Sequence, residues 1–230
     1  MTTPNSFKPT FHFIPKDWQD QSAYIIAGGA SLIGFDFGRL KGKNTVAVKA
    51  AGEYLPWASA YFSMDIVNWK MPDRLDKLRS AGFSGDIVMA CNPVHEFQND
   101  VSDCKFVIRN VWPGYATDFE YPMSVWNDRV FGHNSGYAAL NYAFLRGATT
   151  IYLLGFDFAK VGYWYDVDSR HWKNHQIVNN EIITRDRYIS EQQNKFLNAS
   201  TFFKKHGIKV YIVGNESTLV GYDRIDYGKI

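Results

Sequence analysis

The segment Thr149–Phe158, which reads TTIYLLGFDF, decides the fold class of this chain. Its apolar residues follow one another without alternating polar residues, it is β-branched at its start, and Gly155 follows the run. A continuous apolar run is typical of a strand that is buried on both faces, as in a parallel sheet covered by helices. We therefore interpret this segment as a central strand of such a sheet.

Similar apolar runs alternate with helical patterns along the rest of the chain. The further predicted strands are Tyr24–Ala27, Thr45–Ala50, Ala60–Asp65, Asp86–Ala90, Lys105–Asn110 and Ile208–Gly214. The predicted helices are Asp73–Phe83, Ser135–Ala148 and Asp186–His206. Strands that alternate with helices predict an α/β fold, with a mostly parallel sheet and helices on both of its faces.

Two segments stand apart from this alternation. Residues 1–21 are polar and contain prolines, and we interpret them as an N-terminal arm. Residues 159–184 are polar and aromatic without a clear period, and they are longer than an ordinary connection, which favours a lid or a functional loop. We expect a single domain over residues 22–230 that carries an aromatic lid at 159–184.

The amino-acid composition argues against several classes of function. The 230 residues are 46% hydrophobic and 21% charged, as in a packed domain, and a formal net charge of +2 gives no reason to expect nonspecific DNA binding. Two cysteines favour a reducing, cytoplasmic location, and no apolar run reaches the roughly 18 residues of a membrane span. Aromatic residues make up 17%, so we expect some rings to line a pocket or an interface.

The turn after the first strand is the first candidate ligand site. Gly28 and Gly29 end the strand at the carboxyl edge of the sheet, where ligands bind in open α/β folds, and the hydroxyl of Ser31 follows. Glycines let backbone N–H groups approach a phosphate closely, although they could equally serve only to permit the turn. The turn lacks the full G-x-G-x-x-G pattern and the G-K-[ST] of a P-loop.

The start of the helix in HNSGYAALNYA is the second candidate. Asn134 or Ser135 could cap this helix, and together with Gly136 they could also hold a phosphate at its positive end. Two aspartates follow predicted strands. Asp157 and Asp65 could each bind a sugar hydroxyl, a metal or a backbone amide, or could simply complete a turn.

The lid supplies the candidate acid–base groups. His171 and His175 are four residues apart, and either could be a general base for an acceptor hydroxyl. The same spacing could bind a metal on a helix, but no H-E-x-x-H pattern is present, so we expect no metal site. Tyr163 and Tyr165 could donate hydrogen bonds to a departing phosphate, or could pack beneath the lid.

Four segments together resemble a family of Rossmann-like phage and bacterial proteins. Residues 27–65 are similar to its A-G-G-P-S-L turn, its D-[FY]-x-R-L segment and its A-P-W-A-D stretch. Residues 133–158 are similar to its S-G helix start and its strand ending in G-x-D-[FM]. RHWKNH at 170–175 resembles its H-W-x-x-[DN]-H, and NESTL at 215–219 resembles its closing N-x-S-x-L.

The resemblance implies a Rossmann-like fold and a place beside bacterial sialyltransferases and archaeal hydroxymethylpterin diphosphokinase-like proteins. By position, the first turn and the S-G helix start of the sialyltransferases correspond to Gly28–Ser31 and Asn134–Gly136, and the aspartate after the strand corresponds to Asp157. Their lid tyrosines and lid histidine correspond to Tyr163 and Tyr165 and to His171 or His175.

Two positions depart from these enzymes. Gly28 stands where they carry an asparagine, and Ala51 or Gly52 stands where a second asparagine is usual. Counted back from the last predicted strand, the position of their base falls near Ser190. The resemblance therefore leaves donors other than CMP-sialic acid open.

The resemblance favours a nucleotide-dependent transferase, most specifically a metal-independent, phage-type glycosyltransferase. Its partners would be a nucleotide or nucleotide-sugar and an acceptor, either a small molecule or a glycan, with a modified DNA base also possible. The chain could form a homo-oligomer. If it is phage-encoded, it would act in the host cytoplasm. One alternative is pyrophosphoryl transfer from ATP to a pterin-like heterocycle, which requires Mg²⁺. The other is a non-catalytic protein that binds or sequesters a nucleotide.

Overall fold

The computed structural model describes residues 10–64, 71–91, 104–111, 122–132, 134–158, 163–165, 175–178 and 181–230. In chain order the strands are β1 (Ser22–Ile26), β2 (Asn44–Val48), β3 (Ala60–Ser63), β4 (Asp86–Cys91), β5 (Phe106–Val111), β6 (Arg129–Phe131), β7 (Thr150–Leu154), β8 (His175–Val178), β9 (Glu181–Thr184), β10 (Lys209–Val213) and β11 (Asp223–Ile225). The α-helices are α1 (Ala51–Tyr54), α2 (Met71–Ser80), α3 (Ser135–Leu145) and α4 (Arg185–Lys205).

Nine of these strands form one sheet in the order β11-β10-β7-β1-β2-β3-β4-β5-β6. Every neighbouring pair in it is parallel. From β1 to β6, each new strand pairs with the one before it. The chain then crosses back, and β7 pairs with the other side of β1. The direction of building therefore reverses between β1 and β7, and this is where open α/β sheets form a ligand crevice.

Helices cover both faces of the sheet, so the predicted α/β, Rossmann-like arrangement is confirmed. Ile25 of β1 and Leu153 of β7 pack on one face in a cluster that includes Tyr137 of α3 and Phe196 of α4. On the other face, Leu75 of α2 packs in a cluster with residues of β3 and β4. The strands are buried on both sides, which explains why their sequences read as continuous apolar runs.

Four strands were not predicted. The edge strands β6 and β11 are each three residues long and contain arginine or aspartate, so they carry no apolar run. Short, charged edge strands discourage pairing with other chains. The strands β8 and β9 form a separate antiparallel pair inside the segment predicted as a lid, with His175 opposite Thr184.

The described part of the predicted arm packs against the sheet. Ile14 and Trp18 are 1% and 5% exposed and belong to the main apolar cluster. The N–H of Ile14 donates to the carbonyl of Asn127 over 2.7 Å, and that of Trp18 donates to the carbonyl of Arg146 over 2.9 Å. This stretch therefore contributes to the core. Within the described residues, no helix combines the length and apolarity that a membrane crossing requires.

Candidate functional site

Three segments meet at the carboxyl edge of the sheet around β1. They are the turn after β1, the segment Gly155–Phe158 after β7, and the start of α3. The strands of the sheet are parallel, so β1 and β7 both end at this edge, and α3, which follows β6, begins there. This edge contains most of the residues that the sequence singled out.

Ser31 and Asp157, both predicted to bind a ligand, bind each other. The amide of Ser31 donates to Asp157 Oδ2 over 2.8 Å, and its hydroxyl donates to Oδ1 over 2.5 Å. Gly29 reinforces the contact, because its N–H donates to the carbonyl of Gly155 over 2.9 Å. Asp157 is only 4% exposed, and its carboxylate holds the first turn against the segment after β7.

Tyr163 and Tyr165, in the segment predicted as a lid, lie directly on the first turn. Gly29 and Tyr163 form an isolated antiparallel bridge, and the N–H of Trp164 donates to the carbonyl of Gly28 over 3.1 Å. A Cβ atom on Gly28 would lie 2.6 Å from Tyr163 Cδ1 and 3.0 Å from the Tyr165 hydroxyl. The absence of a side chain at Gly28 is thus what lets the two phenol rings reach the turn.

The two tyrosines belong to a stack of three rings. The ring centroids of Tyr163 and Tyr165 are 5.2 Å apart and their planes nearly parallel, and the Tyr54 ring also stacks on Tyr165, at 5.0 Å. Burial raises the pKa of both lid tyrosines, and the positive charge of Arg74 opposes that rise without cancelling it. Both phenols therefore keep their protons at neutral pH.

The start of α3 combines a cap with two contacts to neighbouring elements. Asn134 Oδ1 accepts from the N–H of Tyr137 over 2.9 Å, so Asn134 is the capping residue. Its amide group donates to Oε1 of Gln192, in α4, over 2.6 Å. The hydroxyl of Ser135 accepts from the N–H of Met64, just after β3, over 3.1 Å. The helix start is therefore held from both sides.

The first turn and the start of α3 contact two consecutive residues of the segment after β7. A Cβ on Gly29 would lie 2.5 Å from Asp157 Cγ, and a Cβ on Gly136 would lie 2.8 Å from a ring carbon of Phe156. The two turns are more than a hundred residues apart in sequence, yet they contact neighbouring residues of one segment. They therefore lie together on one edge of the sheet.

The NESTL stretch at 215–219 donates hydrogen bonds to the segment that follows β7. Ser217 donates its hydroxyl to the carbonyl of Phe156 over 2.6 Å, and the N–H of Thr218 donates to the carbonyl of Asp157 over 3.0 Å. Phe158 has a φ of 56°, which is uncommon for a bulky residue and costs roughly 1–3 kcal/mol. Such backbone strain persists only where surrounding contacts fix it, and it concentrates at ligand sites.

Three predicted residues have side chains outside the described part of the chain. Asp65 and His171 lie outside the described residues. His175 begins β8, which places its backbone but not its side chain. Within the described part of the chain, no group of three or more His, Cys, Asp or Glu side chains could hold a metal ion. The roles of the two histidines and the absence of a cofactor stay predictions.

Sequence reasoning missed several residues of this edge. Gln192 acts through a contact to a segment far away in the chain, so no local pattern marks it. The resemblance marked the NESTL stretch but gave Ser217 and Thr218 no role at this edge. Tyr54 is different, because it belongs to the aromatic excess that already indicated a ring-lined pocket or interface. Which of the aromatic residues line the site became clear only from the sheet order and the ring stacking.

The chain is similar in structure to the MAf glycosyltransferase from Magnetospirillum magneticum AMB-1, with a TM-score of 0.64 and 10% sequence identity. The superposition covers 99% of this chain and 37% of the glycosyltransferase chain, so the chain spans little more than a third of that protein's length. At this identity the likeness establishes the shared fold. The sequence matches no protein-family model and no curated protein sequence.

Proposed function

We propose that this protein is a nucleotide-dependent transferase, most specifically a glycosyltransferase that moves a sugar from a nucleotide-sugar to an acceptor hydroxyl. The observation that supports the proposal is that the first turn contacts Asp157 and the start of α3 contacts Phe156, in the segment after β7 and on the edge where the sheet order reverses. The shared fold with a protein described as a glycosyltransferase supports the same reaction class.

The donor phosphate would lie between Gly28–Ser31 and the start of α3. The first amides of a helix have no intrahelical acceptor and carry partial positive charge, so Ser135 and Gly136 present an anion-binding end. The close contact of Gly29 with Asp157 fixes the first turn before any ligand binds. A rigid turn of this kind lowers the entropy cost of binding.

The lid residues would perform the chemical step. The acceptor oxygen attacks the anomeric carbon of the sugar, the bond from that carbon to the phosphate oxygen breaks, and the nucleotide leaves with the bonding pair. His175 or His171 would take the acceptor proton, while the protonated hydroxyls of Tyr163 and Tyr165 donate to the departing phosphate. With the lid over the site, water would be kept from competing with the acceptor.

A ligand screen followed by a turnover assay tests the proposal. The protein is heated with CMP-, UDP-, ADP- and GDP-sugars, with ATP and with pterins, since a ligand bound only by the native state raises the melting temperature. We expect one nucleotide-sugar to raise the melting temperature and to release its nucleotide in the presence of EDTA. If no nucleotide-sugar has an effect, the proposal is wrong.

The same screen separates the two alternatives. Pyrophosphoryl transfer would need Mg²⁺ held by Asp65 and Asp157, and the structure engages both oxygens of Asp157 with Ser31. Activity with ATP and a pterin that EDTA abolishes would nevertheless establish that reaction. Tight nucleotide binding without any turnover would establish a binding or sequestering protein.

A further inference from the structure

A partly buried ion pair with incomplete hydrogen bonding lies beside the three stacked rings. Arg74 Nη1 is 3.5 Å from Glu53 Oε1, which is long for a hydrogen bond, and neither buried atom has a hydrogen-bond partner among the described residues. Burying a charged group without its full set of hydrogen bonds is costly. Buried polar atoms without hydrogen-bond partners indicate a site that can bind another polar group.

The pair is close to the candidate donor site. Glu53 precedes Tyr54, whose ring stacks on Tyr165, and the Tyr165 hydroxyl lies 3.0 Å from the Cβ position of Gly28. The charge of Arg74 is near enough to lower the pKa of both Tyr163 and Tyr165 against the effect of burial. The guanidinium and the two phenols therefore act on the same region.

The local charge balance favours an anion. Lys77 Nζ lies 3.8 Å from Glu53 Oε2, so among the described residues two cations share this carboxylate and one positive charge remains unbalanced. The Arg74 and Glu53 side chains are 27% and 14% exposed, whereas that of Lys77 is 63% exposed. Water screens the exposed ammonium strongly, and the partly buried guanidinium is the stronger partner for a bound phosphate.

We propose that Arg74 binds a phosphate of the nucleotide together with the hydroxyls of Tyr163 and Tyr165, and that Glu53 holds the guanidinium in place when no ligand is bound. This inference rests on the proposed nucleotide-dependent function and adds a residue that the sequence did not single out. A guanidinium presents paired N–H donors that match two phosphate oxygens, so it gives orientation as well as charge.

The test compares nucleotides with the nucleosides that lack the phosphate. Affinities for CMP, UMP, ADP and GDP, and for cytidine, uridine, adenosine and guanosine, are measured by calorimetry for the wild type, Arg74→Met, Arg74→Lys and Arg79→Met. Arg79 is the matched control, because it lies on the same helix, is 54% exposed and pairs with Asp76. We expect Arg74→Met to weaken nucleotide binding at least tenfold, with nucleoside binding unchanged.

The outcomes separate this inference from the proposed function. Partial recovery in Arg74→Lys and no effect in Arg79→Met would support the role of Arg74. A wild-type preference for nucleotides that survives in Arg74→Met would overturn this inference and leave the proposed function standing. No nucleotide binding by the wild type would overturn both.

A second variant covers the case in which Arg74→Met does not fold. Glu53→Gln removes the anion that competes for the guanidinium, so we expect nucleotide affinity to rise several-fold while nucleoside affinity is unchanged. Equal nucleotide affinity in Glu53→Gln and the wild type would then overturn the inference.

Discussion

At the scale of single residues, Gly29 is the position where the fold of the site tolerates least change. A Cβ there would lie 2.4 Å from the carbonyl oxygen of Gly155 and 2.5 Å from Asp157 Cγ, and backbone cannot move aside cheaply. We expect Gly29→Ala to lower the free energy of unfolding by about 2 kcal/mol or more, measured by urea denaturation. The control Gly228→Ala, where nothing lies within 4 Å of the added Cβ, should change it by less than about 0.5 kcal/mol. Equal stabilities of the two variants would contradict this packing.

Cys91 gives a prediction about pH. Burial raises the pKa of this thiol from 9.0 to about 12, and burial raises that of the Tyr142 phenol from 10.0 to about 12. The unfolded state loses these protons at a lower pH than the folded state does. The free energy of unfolding therefore has its full value below pH 9 and falls between pH 9 and 12. We expect Cys91→Ala to flatten the fall between pH 9 and 10, measured by urea denaturation across that range. A slope identical to the wild type would show that the thiol is not involved.

At the scale of elements, the strands that sequence reasoning predicted are those with continuous apolar runs. β1 and β7 are buried on both faces and their sequences show it directly. The edge strands β6 and β11 are only three residues long, and the pair β8–β9 lies outside the main sheet, so none of them shows a long continuous apolar run. Propensity and pattern thus predicted the centre of the sheet and missed its margins.

In the candidate site too, features set by neighbouring residues could be predicted, whereas contacts between distant residues could not. That glycine turns and helix starts meet at the carboxyl edge could be predicted, because parallel strands bring these ends together. That Ser31 would bind Asp157 could not be predicted, because the two residues are 126 positions apart and each has many acceptable partners. The contact of Asn134 with Gln192 was hidden for the same reason.

The arm and the end of α3 are joined by one buried arginine. Arg146 binds the Asp17 carboxylate and the Tyr142 hydroxyl, and its guanidinium lies 4.2 Å from the ring centroid of Trp18. We expect Arg146→Met to lower the free energy of unfolding by about 2 kcal/mol, because charge-assisted hydrogen bonds and ring stacking are both lost.

Urea denaturation of Arg146→Met is best compared with that of Arg187→Met. Arg187 forms an ion pair with Glu191 on the exposed surface of α4, where such pairs contribute less than about 1 kcal/mol. If Arg146→Met were as stable as this control, the arm would not depend on Arg146.

At the scale of the whole molecule, the arrangement of strands places the site. β1 lies between β2 and β7, and the chain builds in opposite directions on its two sides, which opens the sheet edge at the first turn. Tyr163 and Tyr165, in the segment predicted as a lid, lie on that turn, and Arg74 of α2 pairs with Glu53, which precedes the ring that stacks on Tyr165. The proposed transferase activity depends on this convergence of segments that are distant in sequence.

Amide hydrogen exchange with and without nucleotide tests the central claim most directly. CMP, UMP, ADP and GDP are each added at saturating concentration, and exchange is followed along the chain. If the two turns jointly bind the phosphate, exchange slows at both Gly28–Ser31 and Ser135–Tyr137 with at least one of these nucleotides. Slowing at one turn without the other, or only at sites away from this edge of the sheet, would contradict the account.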